Sequence, residues 1–380
     1  MRILVLTWRD LAHPCAGGAE VYTDRVAREW IAAGHEVTIF TSRVDGRPVE
    51  DHAGGARILR RGGRHSVYRE ARRFYESEGH GRYDLVIDQV NTRPFLAPRY
   101  VDDAPVLALV YQVAREVWLY ETPLPVAILG RYVLEPWWLR QYRRVPTVTV
   151  SLSSKQSLEH YGLTQVTVVP VGYSPPALSG GCLPPKEPRP TMIYVGRLSA
   201  NKRPEHVIHA FCQVRRRIPD AQLWMVGVGP MQAALQRNAP TGATFFGHVD
   251  DATKHDLLAR AHVLVMTSVR EGWGLGVTEA AQVGTPAVGY DVAGLRDSLA
   301  AHGGANVRPQ PQALAERVAQ ALTGEAALLT ERGEGRVLPW DEVAEALLGV
   351  SGLPRRQSAY APGIAPDLSE ATLASRATPG

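Results

Sequence analysis

Apolar runs of strand length recur at 3–8, 36–41, 57–60, 84–90, 106–111 and 147–151, and between them apolar residues return every three or four positions. The stretch 19–33 is the clearest of these intervals, with Val21, Val26, Trp30 and Ile31 on one stripe, the mark of an amphipathic helix. Strands alternating with helices predict a parallel sheet covered on both faces. The pattern then breaks at 173–190, which holds six prolines and reads as a linker. It restarts with expected strands at 192–195, 222–226, 244–246, 263–267 and 287–290, and helices at 204–217, 251–261 and 312–322. The chain is thus expected to be α/β, with two doubly wound Rossmann-like domains at 1–172 and 191–349 facing each other across a cleft. A last amphipathic stretch at 340–348 precedes a tail, 351–380, whose Pro, Ala and Ser content predicts disorder.

A length of 380 residues suits two cores rather than one. The three cysteines, Cys15, Cys182 and Cys212, are far apart and form no CxxC motif. This argues against a disulfide framework or a structural zinc site and fits a reducing cytoplasm. The N-terminal apolar run stops at Arg9-Asp10, too soon for a signal peptide. No stretch approaches the ~20 apolar residues that span a bilayer. A net charge of +4 gives no case for nucleic acid. Positive charge is concentrated instead, with seven arginines against one glutamate in 57–73. The segment 131–144 mixes aromatic and basic residues; a domain helix with a buried tryptophan face is the favoured reading, and peripheral contact with an anionic membrane the alternative. Arginine in place of lysine, with abundant Ala, Gly and Pro, points to a GC-rich, actinobacterial coding sequence.

The densest chemistry lies in Glu271-Gly-Trp-Gly-Leu-Gly-Val-Thr-Glu279, after the apolar run 263–267. It reads as strand, glycine loop, helix. Backbone amides at a helix N-terminus suit phosphate, and the two carboxylates suit hydroxyls. A second element, Gly196-Arg-Leu-Ser-Ala-Asn-Lys202, follows the first strand of the second domain. Arg197 brings a planar fork of donors and Lys202 a point charge, a pair able to hold a diphosphate. Gly17 and Gly18, before the first helix, offer amides from the opposite side of the cleft. The absence of GxGxxG there argues against a dinucleotide redox enzyme. Gly227-Val-Gly229 is a weaker phosphate candidate, and His13 reads as a structural loop residue before a proton-transfer group. Asp88 at a strand end could meet acceptor hydroxyls or cap the strand. Asp102-Asp103 and Asp250-Asp251 look like caps rather than metal ligands.

Together these residues resemble the family 4 glycosyltransferases of the GT-B fold over most of 1–349. The resemblance implies retaining transfer from a nucleotide diphosphate sugar, without a bound cofactor or tightly held metal. By carry-over, Arg197 and Lys202 stabilise the leaving diphosphate. Glu279 binds ribose, and Glu271 holds sugar hydroxyls beside the amides of Gly274, Leu275 and Gly276. Gly18 packs on the phosphate, and 291–297 matches the loop after the next strand. The pattern departs where many members have histidine near the reacting sugar: Gln112 stands there, able to hydrogen-bond but not to act as acid or base. Arg115 and Glu116 fall on the acceptor side. The expected partners are a nucleotide-sugar donor and a hydroxyl acceptor, either a cell-envelope glycan or lipid or a secondary-metabolite scaffold. An epimerase on the same fold and a non-catalytic nucleotide-sugar binding subunit are the rival readings.

Overall fold

The computed structural model describes residues 1–174, 182–324 and 338–352. The first sheet comprises β1 (Arg2–Leu6), β2 (Glu36–Thr41), β3 (Glu50–Ala53), β4 (Ala56–Arg60), β5 (Leu85–Val90), β6 (Val106–Val110), β7 (Thr147–Thr149) and β8 (Val166–Val168). Their order is β3-β4-β2-β1-β5-β6-β7-β8, parallel except for the β3–β4 hairpin. The central strands are apolar on both faces because helices cover both; Ile3 and Leu4 of β1 and Leu85 and Val86 of β5 have no solvent exposure.

A short strand, β9 (Gly172–Tyr173), leads out of this sheet. The second sheet holds β10 (Thr191–Val195), β11 (Gln222–Val226), β12 (Ala243–Gly247), β13 (Val263–Met266), β14 (Ala287–Tyr290) and β15 (Ala305–Val307). Its order is β12-β11-β10-β13-β14-β15, all parallel. In each sheet the order reverses beside the first strand, between β1 and β5 and between β10 and β13. Loops leaving those strands diverge there and open the crevice where ligands bind in such folds. They are the loops that carry Gly18, Lys202 and Glu271.

The expected strands all form, with ends shifted by a residue or two. Within the two large sheets the strands not expected, β3, β8 and β15, are short edge strands whose partly exposed residues break the apolar run.

The end of the chain departs from the expected division. The helix Trp340–Val350 packs not on the second domain but on the first: Val343, Ala344 and Leu347 share a core with Ile3 and Val26. Trp30 Nε1 donates to the Ala344 carbonyl at 2.9 Å. Just before it, β16 (Leu338–Pro339) pairs in parallel with β9. The second domain therefore ends before 338, because the apolar stripe of the last helix completes the face left open by the first helix, Gly18–Ala32. In the proline-rich stretch, Lys186 Nζ donates to the Ala261 carbonyl at 2.7 Å, so this part is fastened to the second domain. Residues 175–181 of the expected linker, and the expected disordered tail from 353 onwards, lie outside the described residues.

The tryptophan face expected to be buried in 131–144 is not: Trp137 is exposed and Trp138 half-buried beside Trp118. No described helix is long and apolar enough to cross a membrane.

Candidate functional site

The apolar strand β13 drives straight into the site, and its last turn presents Thr267 and Ser268. Glu271 follows, nine-tenths buried. Ser268 Oγ donates to Glu271 Oε1 at 2.6 Å, and Lys202 Nζ forms an ion pair with the same oxygen. The sequence elements 196–202 and 271–279 thus meet in one salt bridge. Behind it the loop 291–297 closes in: the Glu271 amide donates to the Ala293 carbonyl at 3.0 Å. Gly294 has φ +78°, and a Cβ there would lie 2.0 Å from the Glu271 carbonyl oxygen, a position only glycine can fill.

Gly274 caps the helix Leu275–Gln282. In its first turn the amides of Leu275 and Gly276 have no intrahelical acceptor. Opposite stands the start of the helix Gly18–Ala32; a Cβ on Gly18 would come within 2.7 Å of Leu275 Cδ1. Two helix N-termini, one from each domain, therefore abut, and their positive ends converge. Arg197 joins them, exposed, with Nη2 3.8 Å from Cys15 Sγ of the first-domain loop. Gly17 contributes less than expected, since its amide is already taken by Glu20 Oε2 at 2.6 Å. Glu20 is in turn held by Arg9 at 3.0 Å, and burial pushes its carboxyl up despite that arginine.

Glu279 sits on the same helix, with Oε1 3.0 Å from Lys254 Nζ. Gly196 is enclosed rather than open: Gly227 passes so close that a Cβ there would be 2.0 Å from the Gly196 carbonyl oxygen. Gly227 and Gly229 pack against the backbone of Gly196 and Leu198 so closely that no side chain fits at either. His13 ties its loop to itself, its Nδ1 accepting from the Cys15 amide at 3.0 Å. Burial, followed by Arg9, lowers its pKa.

On the first-domain side, Gln112 has its Oε1 buried without a partner, an acceptor waiting for a donor. Asp88 does not face the cleft. It has no exposure, and it accepts from the Phe95 amide at 3.1 Å, the Ala97 amide at 2.9 Å and the Tyr142 hydroxyl. Its lone pairs are spent on folding the loop after β5, so acceptor binding is withdrawn for Asp88. The expected consequence is that Asp88→Ala lowers stability by about 3 kcal/mol, through three stranded donors, while the acceptor KM of the folded fraction stays unchanged. Chemical denaturation alongside steady-state kinetics would check both.

Arg115 and Glu116 belong to an ion-pair network. Glu116 lies 3.3 Å from Arg270 Nε, bridging the domains, and 3.4 Å from Arg131 Nη2. The Arg115 backbone, with φ +38°, is held by Glu135, which accepts from its amide at 2.9 Å, while its partly exposed guanidinium lies 3.6 Å from Glu116. Asp250 caps the helix Asp251–Arg260, as expected. Among the described residues, the one group with metal-ligand spacing is exposed, His80, Asp102 and Asp103. Asp103 already accepts from the Tyr75 hydroxyl and the Gly81 amide.

Ser268, Lys254 and Arg270, passed over in the sequence reading, complete the site, and Arg203 meets Tyr120 at 2.6 Å between the domains. Only Arg270, next to Glu271, carried a local signal. Beside the site, a cavity of about 370 Å³ opens between the first helix and the β3–β4 hairpin. Arg60 there pairs with Asp10 at 2.6 Å and Asp51 at 2.8 Å, and Asp10 Oδ1 is buried without a partner.

Two sequence profiles match this chain: "Glycosyltransferase Family 4" over 16–175 and "Glycosyl transferases group 1" over 183–334. The glycogen synthase of Mycobacterium tuberculosis (strain ATCC 25618 / H37Rv) is 24% identical over 334 residues, covering 79% of this chain and 80% of that protein. A GDP-mannose-dependent alpha-(1-6)-phosphatidylinositol dimannoside mannosyltransferase of M. tuberculosis (strain ATCC 25177 / H37Ra) is 30% identical over 168 residues, 42% of this chain and 43% of its own. Among solved structures, Anabaena Alr3699/HepE in complex with UDP-glucose superposes with a TM-score of 0.67 at 15% identity, over 93% of this chain and all of that one.

Proposed function

This chain belongs to the family 4 glycosyltransferases of the GT-B fold, and from that premise we propose that it transfers a sugar with retention from a nucleotide diphosphate sugar to a hydroxyl acceptor. The observation that carries the reading is the convergence of two helix N-termini, Arg197 and Lys202 on one gap between the domains. That much positive field calls for a dianionic ligand. Lys202 and Glu271 neutralise each other while the gap is empty. A diphosphate would draw Lys202, and sugar hydroxyls would take over Glu271. The lysine then meets the charge that grows on the leaving phosphate, and the carboxylate positions the sugar. The phosphate charge is met by these cations and amides, without a bound metal.

Glu279 supplies a carboxylate for ribose hydroxyls, and the unpaired Gln112 Oε1 a hydrogen-bond acceptor for the sugar. Retention follows if the acceptor hydroxyl attacks from the face of the leaving phosphate and a phosphate oxygen takes its proton. The cavity at Asp10, adjoining the loop that leads to Gly18, is the proposed entry for a hydroxylated acceptor. Its acidic and basic side chains alternate, and paired charges of this kind grip vicinal hydroxyls.

Relatives use donors of different base, GDP-mannose in one name and UDP-glucose in one complex. A thermal-shift series with UDP, GDP, dTDP and ADP and their sugars, run in a chelator, tests the reading. One nucleotide family at about 100 times its Kd is expected to add ~2.7 kcal/mol of stability. Silence across the whole series would overturn it. Turnover of the donor without any acceptor would select the epimerase instead, and the anomeric configuration of the product, read by NMR, decides retention.

A further inference from the structure

The helical stretch that runs out from the cleft edge is inside out. It comprises Trp118–Glu121, Leu124–Leu129, a π-helical turn Gly130–Leu134 and Glu135–Arg140. Among the described residues sixteen large apolar side chains are exposed, and nine of them fall within 119–137. The side turned to the protein uses small groups: Ala127 is fully buried, and Gly130 lies so flat on Trp118 that a Cβ would sit 2.5 Å from its ring. The large side chains, Leu124, Ile128, Leu129, Tyr132, Val133 and Trp137, face outwards, with Leu124 and Tyr132 64% and 65% exposed. An ordinary surface helix has the reverse arrangement, and a contiguous apolar face of this kind marks an interaction surface.

The charges around it narrow the partner. Arg140, Arg143 and Arg144 are exposed at one end, and Arg99 reaches over the Trp137 ring at 5.8 Å. Between 117 and 144 the only exposed acid is Glu121. A second copy of the chain would bring two basic rims together, whereas an anionic lipid surface satisfies rim and face at once. We propose that 118–140 is a docking face for an anionic membrane. Its inner end lies at the cleft, where the Tyr120 hydroxyl accepts from Arg203 Nη2 at 2.6 Å, so docking would hold the cleft mouth beside the lipid headgroups. The docking rests on this surface alone and stands whichever nucleotide the cleft takes.

The test is flotation of the whole protein with phosphatidylcholine vesicles and with mixed phosphatidylcholine–phosphatidylglycerol vesicles. The protein should float with the mixed vesicles, far less with the neutral ones, and be released by salt. Leu124→Glu with Ile128→Glu should weaken binding roughly tenfold or more, and Arg143→Ser with Arg144→Ser should erase most of the preference for the anionic composition. Both variants should keep the wild-type melting temperature, because all four side chains lie outside the cores. Three outcomes would overturn the proposal. One is no flotation with either composition. Another is unchanged binding by the Leu124→Glu/Ile128→Glu variant. The third is a wild-type dimer in sedimentation that the same variant returns to monomer, which would give the face to a second copy.

Discussion

Lys202→Ala should lower kcat by about two to three orders of magnitude, as removal of one preorganised donor from a developing anion does elsewhere. The ammonium stands at the gap on the second-domain side, held there by Glu271 until a diphosphate draws it across. The same substitution leaves Glu271, nine-tenths buried, with Ser268 alone. Stability should fall as well, because a buried carboxylate has lost its counter-charge. Two measurements separate the effects. Lys202→Gln keeps a hydrogen bond to Glu271 and should recover most of the melting temperature while recovering little of kcat. Recovery of both would mean that the lysine only props the loop. Full activity in either folded variant would remove Lys202 from the site.

Gly294→Ala should cost roughly 3 kcal/mol and disable the enzyme without touching any group that meets substrate. The residue has φ +78°, and its added Cβ would press on the Glu271 carbonyl oxygen. That carbonyl belongs to backbone fixed on its other side by the hydrogen bond from the Glu271 amide to the Ala293 carbonyl. The loop cannot yield to the methyl without moving Glu271. Urea denaturation should show the loss of stability, and the KM for the donor should rise more than that for the acceptor. A stable variant with normal donor KM would mean that the two loops move freely past each other.

The site was legible where chemistry is written in spacing. Glu271 and Glu279, eight positions apart across a glycine loop, could be put on a loop mouth and a helix face from strand and helix periods alone. The parallel sheets were legible for the same reason, since strands buried on both faces leave unbroken apolar runs. What stayed hidden is what long-range contact decides. Asp88 stands two residues from the C-terminal end of a central parallel strand, close to where ligands bind in such folds. Only the return of Phe95, Ala97 and Tyr142 over it shows that it is consumed. Glu116 meets Arg270 from 154 positions away, and Glu279 meets Lys254 from 25. The 131–144 stretch misled in another way. Apolar composition implies burial, and periodicity shows that a stripe exists, but neither says whether the stripe faces a core or faces outwards. The last helix misled because an apolar stripe names no partner, and the open face of the first helix was the one that fitted.

The pairing of β9 with β16 has a mechanical consequence. The chain passes between the two domains twice, and both passages are tied side by side at the same edge of the first domain. A single tether allows one body to swivel on another about any axis; two tethers bound to each other behave like a strip, which folds easily along one line and resists torsion. Such a tie favours an opening and shutting of the gap between Gly18 and Leu275 over a twist of one domain against the other.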